Sequence, residues 1–182
     1  MASAADIDDP LTELRARLDK LESEGVIRKL MADYMRLCDR LDETTPMEML
    51  GDLFTFDAVW AGRGARYEAS FGAHHGRDAI LAMLDRYRGP MPHFALNTHF
   101  LTSESISVVG DAATGCWVML QAATYASGAS DLRAARLYVA FARESDRWRI
   151  SRFETENLFS RPVGRWDDPA PVPIPSRHDR GD

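Results

Sequence analysis

Apolar residues recur along this chain with two different periods, and the change between them divides it. Leu11, Leu14, Leu18 and Leu21 fall at three- and four-residue spacing among charges, which predicts a short amphipathic helix whose stripe reads as packing. Gly25 is expected to interrupt it. Val26, Ile27, Leu30, Met31, Tyr34, Leu37, Cys38 and Leu41 then give a wider apolar face on a second helix ending near Asp42 to Pro46. Pro46 begins a short helical segment from its first turn, and Phe54 to Trp60 switches to strand. The glycine-rich run Ala61 to Arg66 reads as a hairpin tip or exposed loop leading to Tyr67–Phe71. Gly76 to Tyr87 reads as a further helix, halted around Gly89, Pro90 and Pro92.

From His93 onward the period is that of strands: His93 to Leu101, Ser103 to Val109, Ala113 to Tyr125, Arg133 to Arg143 and Arg147 to Glu156. Gly110-Asp111 and Ser145-Asp146 supply tight turns, and Ser127 to Ser130 a looser one. Asp167 to Pro175 alternates proline with apolar residues after its two aspartates and is expected to be an extended tail. Helices followed by an antiparallel sheet predict the α+β class: a curved, mostly antiparallel sheet wrapped around helices as a cone-shaped barrel. A pocket is expected between the first long helix and the concave face of the sheet. The 182 residues fit one such domain over 22–160, with a helical extension at 1–21 and a proline-rich tail at 161–182.

Composition narrows the partners. No apolar run approaches the roughly 20 residues of a membrane span. The net charge of −6, with no dense Lys/Arg stripe, argues against nucleic acid. A hydrophobic small molecule is the expected partner. Met1 to Asp9 has neither a basic start nor an apolar stretch, so it does not read as a secretory signal, and Cys38 and Cys116 have no framework spacing. Both features suit reduced thiols in a cytoplasmic protein.

The candidate chemistry lies in polar residues inside apolar sequence. Gly62 and Gly64 lack the third glycine and the helix of a dinucleotide fingerprint. His74 and His75 are adjacent, so strand alternation points them to opposite faces, and no carboxylate or thiol completes a metal set. Tyr34, Asp39 and His93 remain, a phenol, a carboxylate and an imidazole that can move protons on and off carbon if they converge in a dry pocket. Along an ideal helix Asp39 lies roughly 140° around from Tyr34, so convergence requires the helix to bend or end near Cys38. His99 competes with His93, because a regular strand points both the same way. Trp60, Asn97, His99, Trp117, Met119 and Phe153 are candidate pocket walls.

The chain resembles the SnoaL-like group of the nuclear transport factor 2-like superfamily over roughly residues 22–160. The likeness is carried in order by Ile27 to Tyr34 running on to Asp39, Leu53 to Trp60, Gly76 to Ile80, His93 with Asn97, Val109 to Thr114, and Arg147 to Ile150. The resemblance implies a conical α+β barrel, an apolar cavity, a homodimer or homotrimer, and catalysis without metal or organic cofactor by dehydratases, dehydrochlorinases or polyketide cyclases. It implies that Asp39 is the acid of a catalytic dyad, that His93 is its histidine because Asn97 follows at the family spacing, that Tyr34 is the active-site tyrosine, and that Trp60 lines the pocket. An arginine that several dehydratases carry would fall at Phe153 here, with Arg152 one place early and on the opposite face. The function expected from it is a lyase, by dehydration or a related C–H proton abstraction on a hydrophobic ring compound. An isomerase or cyclase with the same site, a ligand-binding module, and an oxygenase-associated subunit are the alternatives.

Overall fold

A computed structural model of the chain describes residues 10–164 and 166. The elements in order are α1 (Pro10–Cys38), α2 (Met47–Asp52), β1 (Phe54–Arg63), α3 (Gly64–Phe71), β2 (Ala73–His75), α4 (Arg77–Asp85), β3 (Phe94–Val109), β4 (Ala112–Tyr125), β5 (Ser130–Glu144) and β6 (Arg147–Val163). The expected extended tail at 167–175 lies outside the described residues.

The six strands form one sheet in the order β2-β1-β6-β5-β4-β3. Only the β1–β6 pairing is parallel; the rest are antiparallel. The sheet is curved and does not close, with β2 and β3 as its edges. Irregularities in β3 between Thr102 and Ser105, and in the β5–β6 ladder at Ala134/Ala135 and Ala140/Phe141, bend the strands where the sheet must curl. The tight β5–β6 turn at Ser145 and Asp146 has positive φ at both residues (48° and 61°), the backbone whose twist matches a two-residue hairpin.

The core fills the space between α1 and the concave face. Ile27, Met31 and Tyr34 of α1 pack with Phe54, Leu137, Phe141, Ile150 and Phe153, all at most 3% exposed. Alternation along β4 and β5 puts every second residue on that face, so Trp117, Met119 and Gln121 pair across the ladder with Leu137, Ala135 and Arg133.

Three expectations from the sequence need correction. Gly25 does not break the first helix: α1 runs through it, because a single glycine costs only about 1 kcal/mol while the residues after it are held by burial. The glycine-rich run is a strand-to-helix junction rather than a hairpin tip. A Cβ on Gly62 would lie 2.1 Å from the Tyr67 carbonyl oxygen, so glycine there lets α3 sit down on β1, and Gly64 opens the helix with φ 72°. Tyr67–Phe71 is consequently helical. Finally, the expected strands on either side of Thr102 are one strand, β3, which carries its left-handed residue (Ser103, φ 52°) inside an irregularity instead of breaking.

Candidate active site

The last turn of α1 builds the site. The Asp39 amide donates to the Met35 carbonyl (2.8 Å), but the helix ends at Cys38, and the chain turns away as the Arg40 amide bonds back to Leu37 (3.3 Å). That ending frees Asp39 from the direction an ideal helix would give it. Two contacts from β3 then clamp the helix end. Asn97 Nδ2 donates to the Cys38 carbonyl (3.1 Å), satisfying one of the carbonyls a helix terminus leaves open. The backbone amide of His99 donates to Asp39 Oδ1 (2.9 Å). Gln121 Nε2 donates in turn to Asn97 Oδ1 (2.7 Å), so Asn97 is held on both sides of its amide.

The same Asp39 oxygen meets His99 Nδ1 at 2.6 Å, with the imidazole 10% and the carboxylate 25% exposed. A carboxylate on Nδ1 holds the tautomer that carries the proton there, which turns Nε2 into the free acceptor. Asp39 is therefore paired with His99 and not with His93. Six residues of extended chain separate the two histidines, roughly 20 Å of reach, and the Asn97–Cys38 clamp fixes which one faces the helix end. His93 precedes β3, is exposed, and sits edge-on to the rings of Tyr87 (5.3 Å between centroids), Phe94 (4.6 Å) and Tyr125 (5.3 Å). It lines the same cavity as His99.

Tyr34 is 3% exposed and also opens on the cavity. Its hydroxyl accepts a hydrogen bond from Trp60 Nε1 (3.0 Å), and its ring is wedged between Phe54 and Phe153. Burial, with Cys38 beside it, pushes the phenol well above its ordinary value, so Tyr34 keeps its proton across the neutral range and can donate a hydrogen bond. The same burial pushes the Cys38 thiol up to about 12.

The cavity has a volume of about 190 Å³. Of the expected wall residues, Trp60, Asn97, His99, Met119 and Phe153 line it. Trp117 does not: it is buried further along β4, packed over Gly115 and against Phe141, with Nε1 donating to Glu104 (3.2 Å). Arg152 points outward to Glu154 (2.8 Å) while Phe153 faces the cavity, as strand alternation required.

Several wall residues escaped the sequence reading, among them Gln121, Tyr125 and Arg133. Gln121 and Arg133 stand in one cross-strand row with His99, paired His99 to Gln121 and Gln121 to Arg133. At about 4.8 Å per strand the Arg133 backbone is roughly 10 Å from that of His99. Arg133 Nε donates to Asp131 Oδ2 (2.7 Å), its Nη2 donates to the Tyr125 hydroxyl, and burial pushes that phenol up to about 12. The signal was present: Gln121 shares strand parity with Trp117 and Met119, and Arg133 with Leu137, Val139 and Phe141, polar residues in phase with an apolar face. Among the described residues no group of three or more potential metal ligands occurs, and no helix is long and apolar enough to cross a membrane.

The sequence profile of the SnoaL-like domain matches residues 19–154. A nuclear transport factor 2-like protein with a cystatin-like fold from Novosphingobium aromaticivorans is 31% identical, covering 84% of this chain and 92% of its own, with a TM-score of 0.67. A hexachlorocyclohexane dehydrochlorinase from Novosphingobium barchaimii superposes with a TM-score of 0.68 at 20% identity, covering 87% and 99% of the two chains. A protein assigned as a scytalone dehydratase from Novosphingobium aromaticivorans does so with 0.65 at 19%, covering 81% and 95%. The last two likenesses establish the fold. No curated protein shows significant similarity.

Proposed function

Because the chain belongs to the SnoaL-like family, we propose that it is a small-molecule-converting enzyme in which the Asp39–His99 pair removes a proton from carbon. The observation that carries this reading is the 2.6 Å contact between the carboxylate and Nδ1, which leaves Nε2 as the acceptor in a cavity walled by aromatic residues. Asp39 fixes the tautomer and stabilises the positive charge that develops on the ring as the proton arrives. It does so with the help of the His99 amide, which holds the carboxylate in place.

The reaction is an elimination. The C–H electron pair becomes the new double bond as the proton moves to His99 Nε2, and a hydroxyl or halide on the neighbouring carbon leaves with its own pair. Tyr34 donates a hydrogen bond to the departing group or to a carbonyl oxygen that gathers charge. Trp60, by donating to the phenol oxygen, turns the phenol's own proton away from itself. Such a donor is worth most where water is excluded. Arg133 with Tyr125 supplies a second polar point for an oxygen of the substrate, on the far side of Gln121 from the base.

Size narrows the substrate. An apolar cavity of about 150 Å³ accommodates benzene, so 190 Å³ suits a compound built on a single ring. The dehydrochlorinase among the structural neighbours acts in name on a single-ring compound, hexachlorocyclohexane.

The test is a panel of cyclic ketones and of hydroxylated or chlorinated single-ring compounds, incubated in deuterated water with the protein and its His99→Gln variant. Deuterium at the carbon beside the leaving group or carbonyl, or a new double bond in the ultraviolet spectrum, is expected with the parent protein and absent from the variant. Compounds that quench tryptophan fluorescence yet neither exchange nor react would make the chain a binding module.

A further inference from the structure

The first 13 residues of α1, Pro10 to Glu22, are exposed at every position, so this part of the helix projects past the barrel instead of packing on it. At 1.5 Å per residue it is about 20 Å long, and an isolated helix of that length is marginal in water. One side of it is apolar: Leu11, Leu14, Leu18 and Leu21 are 53–65% exposed. Single exposed leucines need no explanation, but four in one stripe do.

The stripe is not a displaced piece of the barrel's own core. At 100° per residue its mean direction lies roughly 170° around the helix from that of Ile27, Leu30, Met31 and Tyr34. Asp19 and Ser23, on the core side, receive Arg143 from the end of β5 at 3.0 and 2.8 Å and set the helix's rotation there. The leucines therefore face directly away from the sheet.

We propose that this stripe docks against the same stripe of a second copy of the chain, as a short parallel two-helix coiled coil with the two barrels on its outer sides. The spacing 11, 14, 18, 21 is that of alternating a and d positions, which places Arg15 and Glu22 at e and Arg17 and Glu24 at g. In a parallel pair each g residue faces the e residue of the next heptad on the other helix. Arg17 then meets Glu22 of the partner subunit, twice by symmetry, and all four leucine layers are in register. An antiparallel pair that keeps all four layers, Leu11 against Leu21 of the partner subunit and Leu14 against Leu18 of the partner subunit, brings Arg15 to Arg15 of the partner subunit and Arg17 to Arg17 of the partner subunit. Charge complementarity thus selects a like copy and its direction. Two heptads make a small interface, so the association is reversible and concentration-dependent. It is independent of the reaction proposed for the cavity.

Sedimentation of the full chain and its variants tests this. The parent protein is expected to associate reversibly above the 20.4 kDa of one chain. The Leu14→Glu/Leu18→Glu variant should weaken that association by a hundredfold or more while the thermal midpoint of the barrel, measured at low concentration, stays in place. Arg17→Glu should weaken association by roughly fivefold, and Arg17→Glu with Glu22→Arg should restore it. Under mild oxidation in a Cys116→Ser background, Leu18→Cys should cross-link to its own copy. The proposal is overturned if the mass is the same with and without the leucine substitutions. Its parallel direction is overturned if Leu11→Cys cross-links only to Leu21→Cys when the two variants are mixed.

Discussion

The two halves of α1 obey the same helical rules and meet opposite environments. From Ile27 to Cys38 one face is buried against the sheet, with Ile27 and Met31 at 0% exposure, and the end of that half is clamped to β3 and presents Asp39 to His99. From Pro10 to Glu22 nothing is buried, although the leucine spacing is as regular as anything in the second half. Periodicity therefore reports that a face is apolar and not what covers it. In the second half the cover is the barrel and the consequence is a positioned carboxylate. In the first half the apolar face looks away from the barrel altogether.

Substitutions graded along the helix sharpen this contrast. At its very end Asp39→Asn should lower turnover on any substrate found by roughly a thousandfold, the range expected when a positioned acid–base group loses its orienting partner, with the circular dichroism spectrum unchanged. Two turns back, Met31→Ala should cost about 3 kcal/mol of stability in denaturant titration, the usual range for emptying a fully buried side chain. Asn97→Ala, which strips the Cys38 carbonyl of its donor, should cost about 1 to 3 kcal/mol, and should lower turnover as well because Asp39 loses the clamp beside it. In the first half Leu18→Ala should stay within about 0.5 kcal/mol at low protein concentration. A Leu18→Ala loss as large as that of Met31→Ala would erase the distinction between the halves.

Burial in the second half also has a pH signature. Desolvation raises the Cys38 thiol from its ordinary 9 to about 12, so between those values the unfolded chain gives up a proton that the folded chain keeps. Its contribution to stability is complete below pH 9 and falls as pH rises towards 12. Denaturation midpoints should decline over that window. In the native protein at pH 8, Cys38 should resist a thiol reagent that reaches the half-buried Cys116.

The fold class was readable because its signals are local and repeated. The 3.6 period of Ile27 to Cys38 and the period of two from Ala113 onward each recur many times, and the tight turns carried residues that accept positive φ. The glycine-rich run was misread because the reason for Gly62 is a long-range approach, the Tyr67 carbonyl 2.1 Å from where a Cβ would sit, which no local pattern displays. The continuity of α1 through Gly25 was missed because one glycine is a weak break against a buried face. At the site, Tyr34 and Asp39 were legible from the apolar face and the family likeness. The choice between His93 and His99 was not, since both have strand parity for the pocket and only long-range contacts, the Asn97–Cys38 bond across 59 residues and the His99 amide on Asp39, set which of them the helix end meets. Arg133 and Gln121 carried a signal in their strand phase that a search for titratable dyads overlooks.

The central claim is that His99, held by Asp39, is the base. The most direct test compares the turnover of His99→Ala with that of His93→Ala on one substrate drawn from the single-ring panel. Loss of roughly a thousandfold in the first, with the second within about tenfold of the parent, is the predicted result; activity that survives the loss of His99 and disappears with His93 would contradict it.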